Sequence, residues 1–212
     1  MKIAIDSSNQ LTASGIVSGG NADIDIFYQE LCKIFSKEGI KPPFHWSKLS
    51  RKRREKVGKE IVELVNNSRI KFNIFHHLKP KGASKKEYYL RYLPNMMAQN
   101  LEPWLQHREG SIDISVDNDY NISGMPNGTW EFVKNFMSQI SSRVGGKYFE
   151  PFKEGGRFRG TIKHPKGNIL QLYGRVSTPR DSKELQIIDL VLGCALNSAY
   201  NFDEKKVHIR KI

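Results

Sequence analysis

One stretch constrains the fold of this chain more than any other: DSKELQIIDLVLGCA, residues 181–195. Its apolar residues Leu185, Ile187, Ile188, Leu190, Val191, Leu192, Cys194 and Ala195 run almost all the way round a helix, so that helix must be largely buried. Asp189 sits in the middle of it. A lone carboxylate there has to be paired, neutralised or bound to a cation. Ser182, Gln186, Asp189 and Gly193 follow one another at i, i+4, i+7 and i+11, forming one narrow polar stripe in which Gly193 leaves room for something to approach. Asp181 and Glu184 stand at the spacing of a capping box, which casts Asp181 as a helix cap.

The rest of the chain supplies strands and further helices. Residues 2–6 suit a short strand that stops on Asp6, and LTASGIVSG a second strand joined to it by a turn. Ile24, Phe27, Leu31, Ile34 and Phe35 fall on one helical face, and Gly39 closes that helix. Ser50 is placed to cap a second helix, RKRREKVGKEIVELVNNS. RIKFNIFHHL alternates as a strand, and SKKEYYLRYLPNMMAQNLEPWLQH reads as a helix kinked or split at Pro94 or Pro103. SIDISVDND alternates cleanly, with Ile112, Ile114 and Val116 opposite Asp113, Ser115 and Asp117. TWEFVKNFMSQISSRV is helical, and GGRFRGTIKHPKGNILQLYGRVST reads as strands with a turn at HPKGN. This order, beginning with a hairpin and ending in a helix, predicts an α/β fold around one mixed sheet. At 212 residues the chain suits a single domain spanning 1–212.

The 34 Lys and Arg against 22 Asp and Glu leave a net charge of +12. Self-repulsion on that scale opposes compaction, so a polyanionic partner is the natural expectation. Cys32 and Cys194 lie far apart inside apolar helical patterns and read as small core residues, neither a disulfide framework nor a zinc site. With no signal-peptide pattern and no apolar run long enough for a membrane span, the expectation is a cytoplasmic protein without membrane contact.

Asp117 ends a strand as Asp6 does. Two aspartates at strand tips and one on a buried helix suit phosphodiester hydrolysis, which uses Mg²⁺ or Mn²⁺ held by oxygen ligands to activate water and stabilise the leaving oxygen. AIDSSN, ISVDND and above all DSKELQIIDLVLGCA resemble the RNase H-like superfamily, and more narrowly its branch known as domain of unknown function 3800. FHWSKLS is similar to a His-containing segment those proteins carry before their second helix. The resemblance implies a five-stranded mixed sheet flanked by helices, with an acidic site at the strand tips. It casts Asp6, Asp117 and Asp189 as catalytic carboxylates and metal ligands. The family has Glu where this chain has Ser7, which leaves three firm carboxylates, with Asp119 as a substitute ligand. Gln186 is a candidate to orient Asp189 or a water, His45 to shuttle a proton, and Lys48 to contact a phosphate. His76 and His77 point to opposite faces of a strand and cannot share one ion.

Two clusters carry the positive charge. Arg51, Lys52, Arg53 and Arg54 crowd the first turns of a helix, where cations oppose the macrodipole unless an anion meets them. Arg157, Arg159, Lys163 and Lys166 lie on the later hairpin, with Phe158 as a stacking platform. Together they predict binding to nucleic acid, DNA or RNA, dominated by backbone contacts. The expected function is a divalent-metal-dependent nuclease or related phosphoryl-transfer enzyme. Its alternative is a catalytically degenerate RNase H-like module that binds nucleic acid without cutting it.

Overall fold

A computed structural model describes residues 1–7, 13–76, 88–105, 109–117, 128–145, 147–154, 157–163, 167–178, 180–197 and 199–211. The chain forms two compact units, Met1–Leu78 with Ser177–Ile212, and Lys79–Val176. Both are α/β, and no helix among the described residues is long and apolar enough to cross a membrane.

In the first unit, β1 (Lys2–Ser7), β2 (Ala13–Gly19), β3 (Lys71–His76) and β8 (Val207–Lys211) neighbour one another in that order. β1 and β3 both run antiparallel to β2, and β8 runs parallel to β3, so the sheet is mixed. Ala4, Val17, Phe72, Ile74 and Val207 form one face. Onto it pack α1 (Asn21–Lys37), α2 (Arg51–Asn67) and α5 (Lys183–Ala195). The five apolar residues that define the predicted face of α1, Ile24 to Phe35, are its buried ones. Gly39 ends the segment at φ 68°, a left-handed conformation that costs glycine little. Ser50 caps α2 as expected, its hydroxyl accepting from the Arg53 N–H at 3.4 Å.

The second unit orders its strands as β5 (Lys147–Glu154), β6 (Arg157–Lys163), β7 (Ile169–Ser177) and β4 (Gly110–Asp117). β5, β6 and β7 are successively antiparallel, with a bulge between Phe149 and Phe152. A π-helical turn at Tyr88–Tyr92 leads into α3 (Leu93–Leu105), so the helix changes type just before Pro94, where the sequence predicted a kink. α4 (Gly128–Arg143) lies beside α3, tied to it by Arg143, which donates to Glu102 at 3.3 Å and to Asn95 at 2.6 Å.

Two expectations change, and one element was not foreseen. The described strands number eight, not five. The chain does not end in a helix, because VHIRK adds β8 at the edge of the first sheet. KYFEPFKE, which shows no clean alternation, is nonetheless β5. Cys32 and Cys194 are free thiols, and burial pushes the Cys194 thiol far up.

Candidate functional site

α5 is buried as its composition requires, with Leu185, Ile187, Ile188, Leu190, Val191, Leu192 and Cys194 in the core. Its cap is not Asp181. Ser182 takes that place, its hydroxyl accepting from the Leu185 N–H at 3.3 Å and donating to Glu184 at 2.7 Å. Asp181 instead accepts from the Thr178 hydroxyl at 2.9 Å. Glu184 is 3 % exposed and paired with Lys2 at 2.5 Å. Burial alone would raise its carboxyl, but the hydrogen bonds from Lys2 and Ser182 outweigh burial and hold it below its ordinary value.

The polar stripe has an occupant, and it is the chain itself. Gln186 Oε1 accepts from the Phe44 N–H and from the Tyr28 hydroxyl, both at 2.9 Å. Just under one turn on, Asp189 Oδ2 accepts from the Trp46 N–H at 2.9 Å. One turn further, the Trp46 indole fills the notch left by Gly193, where an added Cβ would lie 2.1 Å from the ring. The stripe therefore clamps residues 44–46 by two backbone N–H groups and one ring. A second notch serves the same cluster. The Tyr200 ring sits against Gly58, donates its hydroxyl to the Arg54 carbonyl at 2.9 Å and meets Trp46 edge-on at 6.4 Å. Sequence reasoning found the stripe and the space at Gly193 but missed Phe44, Trp46, Tyr28 and Tyr200 as their partners. The small residues Gly58 and Gly193 on otherwise well-formed helices were the available signal.

The candidate ligands divide between the units. Asp6 is 2 % exposed at the end of β1. It pairs across the ladder with Gly15, and a Cβ on Gly15 would meet Ile188 Cδ1 at 2.7 Å. Directly opposite residues of an antiparallel pair share a face. Asp6 therefore lies on the face that α5 covers, and the residue just before Asp189 rests over its strand partner. Asp189 keeps its side chain 23 % exposed, and His45 Nδ1 stands 3.7 Å from Oδ2, too far for a hydrogen bond. Among the described residues, Asp189 Oδ1 has no hydrogen-bond partner. Asp117 is 5 % exposed and belongs to the second unit. Asp119 and Lys166 lie outside the described residues. In kind the donors suit a hard cation, since carboxylate oxygens are what Mg²⁺ and Mn²⁺ take. In number they fall short: among the described residues no group of three His, Cys, Asp or Glu stands ready to hold a metal ion.

The basic helix start also resolves into individuals. Arg54 folds back, donating to the Trp46 carbonyl at 3.1 Å and the Ser47 carbonyl at 3.0 Å, with its guanidinium 5.8 Å from the Trp46 ring centre. Arg51 pairs with Glu55 at 3.0 Å in full solvent, a contact worth little. Lys48, Lys52 and Arg53 are exposed. On the later hairpin Arg157, Arg159 and Lys163 are exposed, whereas the Phe158 side chain lies outside the described set. The exposed aromatic beside these cations is Tyr173, which the sequence reading missed.

No protein-family model, curated protein or solved structure matches this chain.

Proposed function

We propose that the chain acts on nucleic acid as a divalent-metal-dependent nuclease, or a related phosphoryl-transfer enzyme, of RNase H-like kind. One observation supports the reading: Ile188 of α5, the residue before Asp189, rests over Gly15, the strand partner of the buried Asp6. Asp6 and Asp189 would hold Mg²⁺ or Mn²⁺, and Asp117 is the third candidate named by the sequence. Such an ion, when bound, activates water and stabilises the leaving oxygen of a phosphodiester. The protein's own residues do the rest. The Trp46 N–H fixes one oxygen of Asp189 and leaves the other available. His45, its Nδ1 3.7 Å from Asp189 Oδ2, is the candidate proton shuttle beside that carboxylate. Lys48, Lys52 and Arg53 are free to meet phosphates, and a basic chain draws a polyanion from a distance.

A second reading, the non-catalytic module, is favoured by two specific observations. No three-residue ligand group assembles among the described residues, and Ser7 stands where the family has Glu. Calorimetry with Mn²⁺ on the wild type and on Asp6→Ala, Asp117→Ala and Asp189→Asn decides between them. Binding that each substitution weakens at least tenfold supports the enzyme, and assays on single- and double-stranded DNA and RNA then follow. A wild type that binds no Mn²⁺ even with nucleic acid present leaves the module.

A further inference from the structure

The second unit has a sheet face whose chemistry is unlike the rest of the molecule. Alternation along β6 and β7 puts Ile162, Leu170 and Leu172 in the core, fully buried. The opposite face carries Arg157, Arg159, Thr161 and Lys163 from β6, registered against Arg175, Tyr173, Gln171 and Ile169 from β7. Arg157, Arg159, Lys163 and Arg175 are all exposed, and neither strand contains an Asp or Glu. Like-charge neighbours Arg157 and Arg175 stand directly opposite one another, with Glu154 of β5 registered on the other side of Arg157.

The face is also ordered for stacking. Gln171 Oε1 accepts from Arg159 at 3.0 Å and from the Tyr173 hydroxyl, holding both side chains. The Arg159 guanidinium lies 5.2 Å from the Tyr173 ring centre, and Tyr173 is 37 % exposed. Exposure falls towards β4. Arg175 Nε reaches Ser115 Oγ at 3.5 Å, so Ser115 and its alternation partner Asp117 share this face, at its buried margin.

We propose that the exposed face of β6 and β7 binds single-stranded nucleic acid, with Tyr173 stacking on an unpaired base and Arg157, Arg159, Lys163 and Arg175 on the phosphates. This deepens the nucleic-acid reading above and rests on it. A single strand is favoured over a duplex because a flat, arginine-backed ring uses the face of a base, and a duplex hides that face within its own stack. Residues two apart on a strand are about 6.6 Å apart, so Arg157 to Lys163 spans about 20 Å, enough for several nucleotides.

The test is fluorescence anisotropy of labelled 20-nucleotide oligo-dT, oligo-U and a 20-base-pair duplex with the full chain, in EDTA so that binding is read without hydrolysis. The expected result is preference for the single strands, a loss of roughly 5- to 100-fold in Tyr173→Ala and near-wild-type binding in Tyr173→Phe. Arg159→Ala and Lys163→Ala should each flatten the salt slope by about 0.7, while Lys59→Ala, exposed on the other unit, should not. Equal or tighter duplex binding, an unaffected Tyr173→Ala, or an equal effect of Lys59→Ala overturns the assignment. Binding of this kind without cleavage in Mn²⁺ upholds the face and removes the nuclease reading. Cleavage with binding indifferent to Tyr173 does the reverse.

Discussion

Gly193→Ala is a substitution for which helix propensity and packing predict opposite signs. In a helix interior alanine is favoured over glycine by about 1 kcal/mol, so propensity alone says the variant is more stable. Packing says otherwise. The new Cβ would lie 2.1, 2.2 and 2.6 Å from Cγ, Cδ1 and Cδ2 of Trp46, all in a rigid ring. Overpacking of this kind costs roughly 1–3 kcal/mol. Displacing the indole also pulls the Trp46 backbone N–H away from the Asp189 carboxylate, a hydrogen bond worth about 1.5–3 kcal/mol. Subtracting the propensity gain leaves a net loss of about 1.5–5 kcal/mol. Urea unfolding followed by circular dichroism at 222 nm reads it as a lower midpoint with an unchanged slope. The Trp46→Ala background makes the test sharper. With the ring gone, Gly193→Ala should become neutral or stabilising by up to about 1 kcal/mol, a reversal of sign within one double-mutant cycle. Equal effects of Gly193→Ala in both backgrounds would refute the view that Gly193 exists to admit Trp46.

Gln186→Ala strips the acceptor from the Phe44 N–H and the Tyr28 hydroxyl inside a buried site, and should cost about 2–4 kcal/mol in the same unfolding experiment. Asp189→Asn preserves an acceptor for Trp46 and should leave the unfolding midpoint within about 1 kcal/mol of wild type while abolishing the Mn²⁺ heat, whereas Asp189→Ala loses both. Because the Glu184 carboxyl is held below its ordinary value of 4.5, it contributes stability above that pH, and the contribution drains away as pH falls through its folded value; Glu184→Gln should flatten the acid limb of a stability–pH curve below 4.5 and change little of its slope above pH 6. Arg54→Ala should cost about 1–2 kcal/mol of stability through its two carbonyl bonds, while Lys52→Ala and Arg53→Ala should leave stability unchanged and weaken nucleic-acid binding in a salt-dependent manner.

What the sequence made legible was local. The burial of α5, the face of α1, the Ser50 cap and the alternation of β4 all follow from patterns within a few residues. The polar stripe was equally visible, but its partners were not, because Phe44 lies 142 residues from Gln186 and no periodicity reports a contact at that range. The cap of α5 went to the neighbour of the expected residue, since Asp181 and Ser182 are both competent acceptors and only backbone geometry chooses between them. Charge was readable as a total and not as a set of roles. Arg54 looked like its neighbours until the 46–48 turn presented two carbonyls to it. Tyr173 escaped because its significance depends on being registered against Arg159, and that register is set by the connection between the strands.

The clamp on residues 44–46 has a consequence for how the chain is made. Its two halves are separated by the whole of the second unit, so Phe44 and Trp46 leave the ribosome well before the helix that will accept their N–H groups. At about 5–20 residues per second, 142 residues of elongation take roughly 7–28 s. Throughout that interval the first unit's sheet lacks α5, and apolar residues such as Ala4, Val17 and Phe72 lack part of their cover. A nascent chain stalled before Lys183 should therefore be a better chaperone client and protease substrate than one carried past Ala195, even though the two differ by little more than one helix.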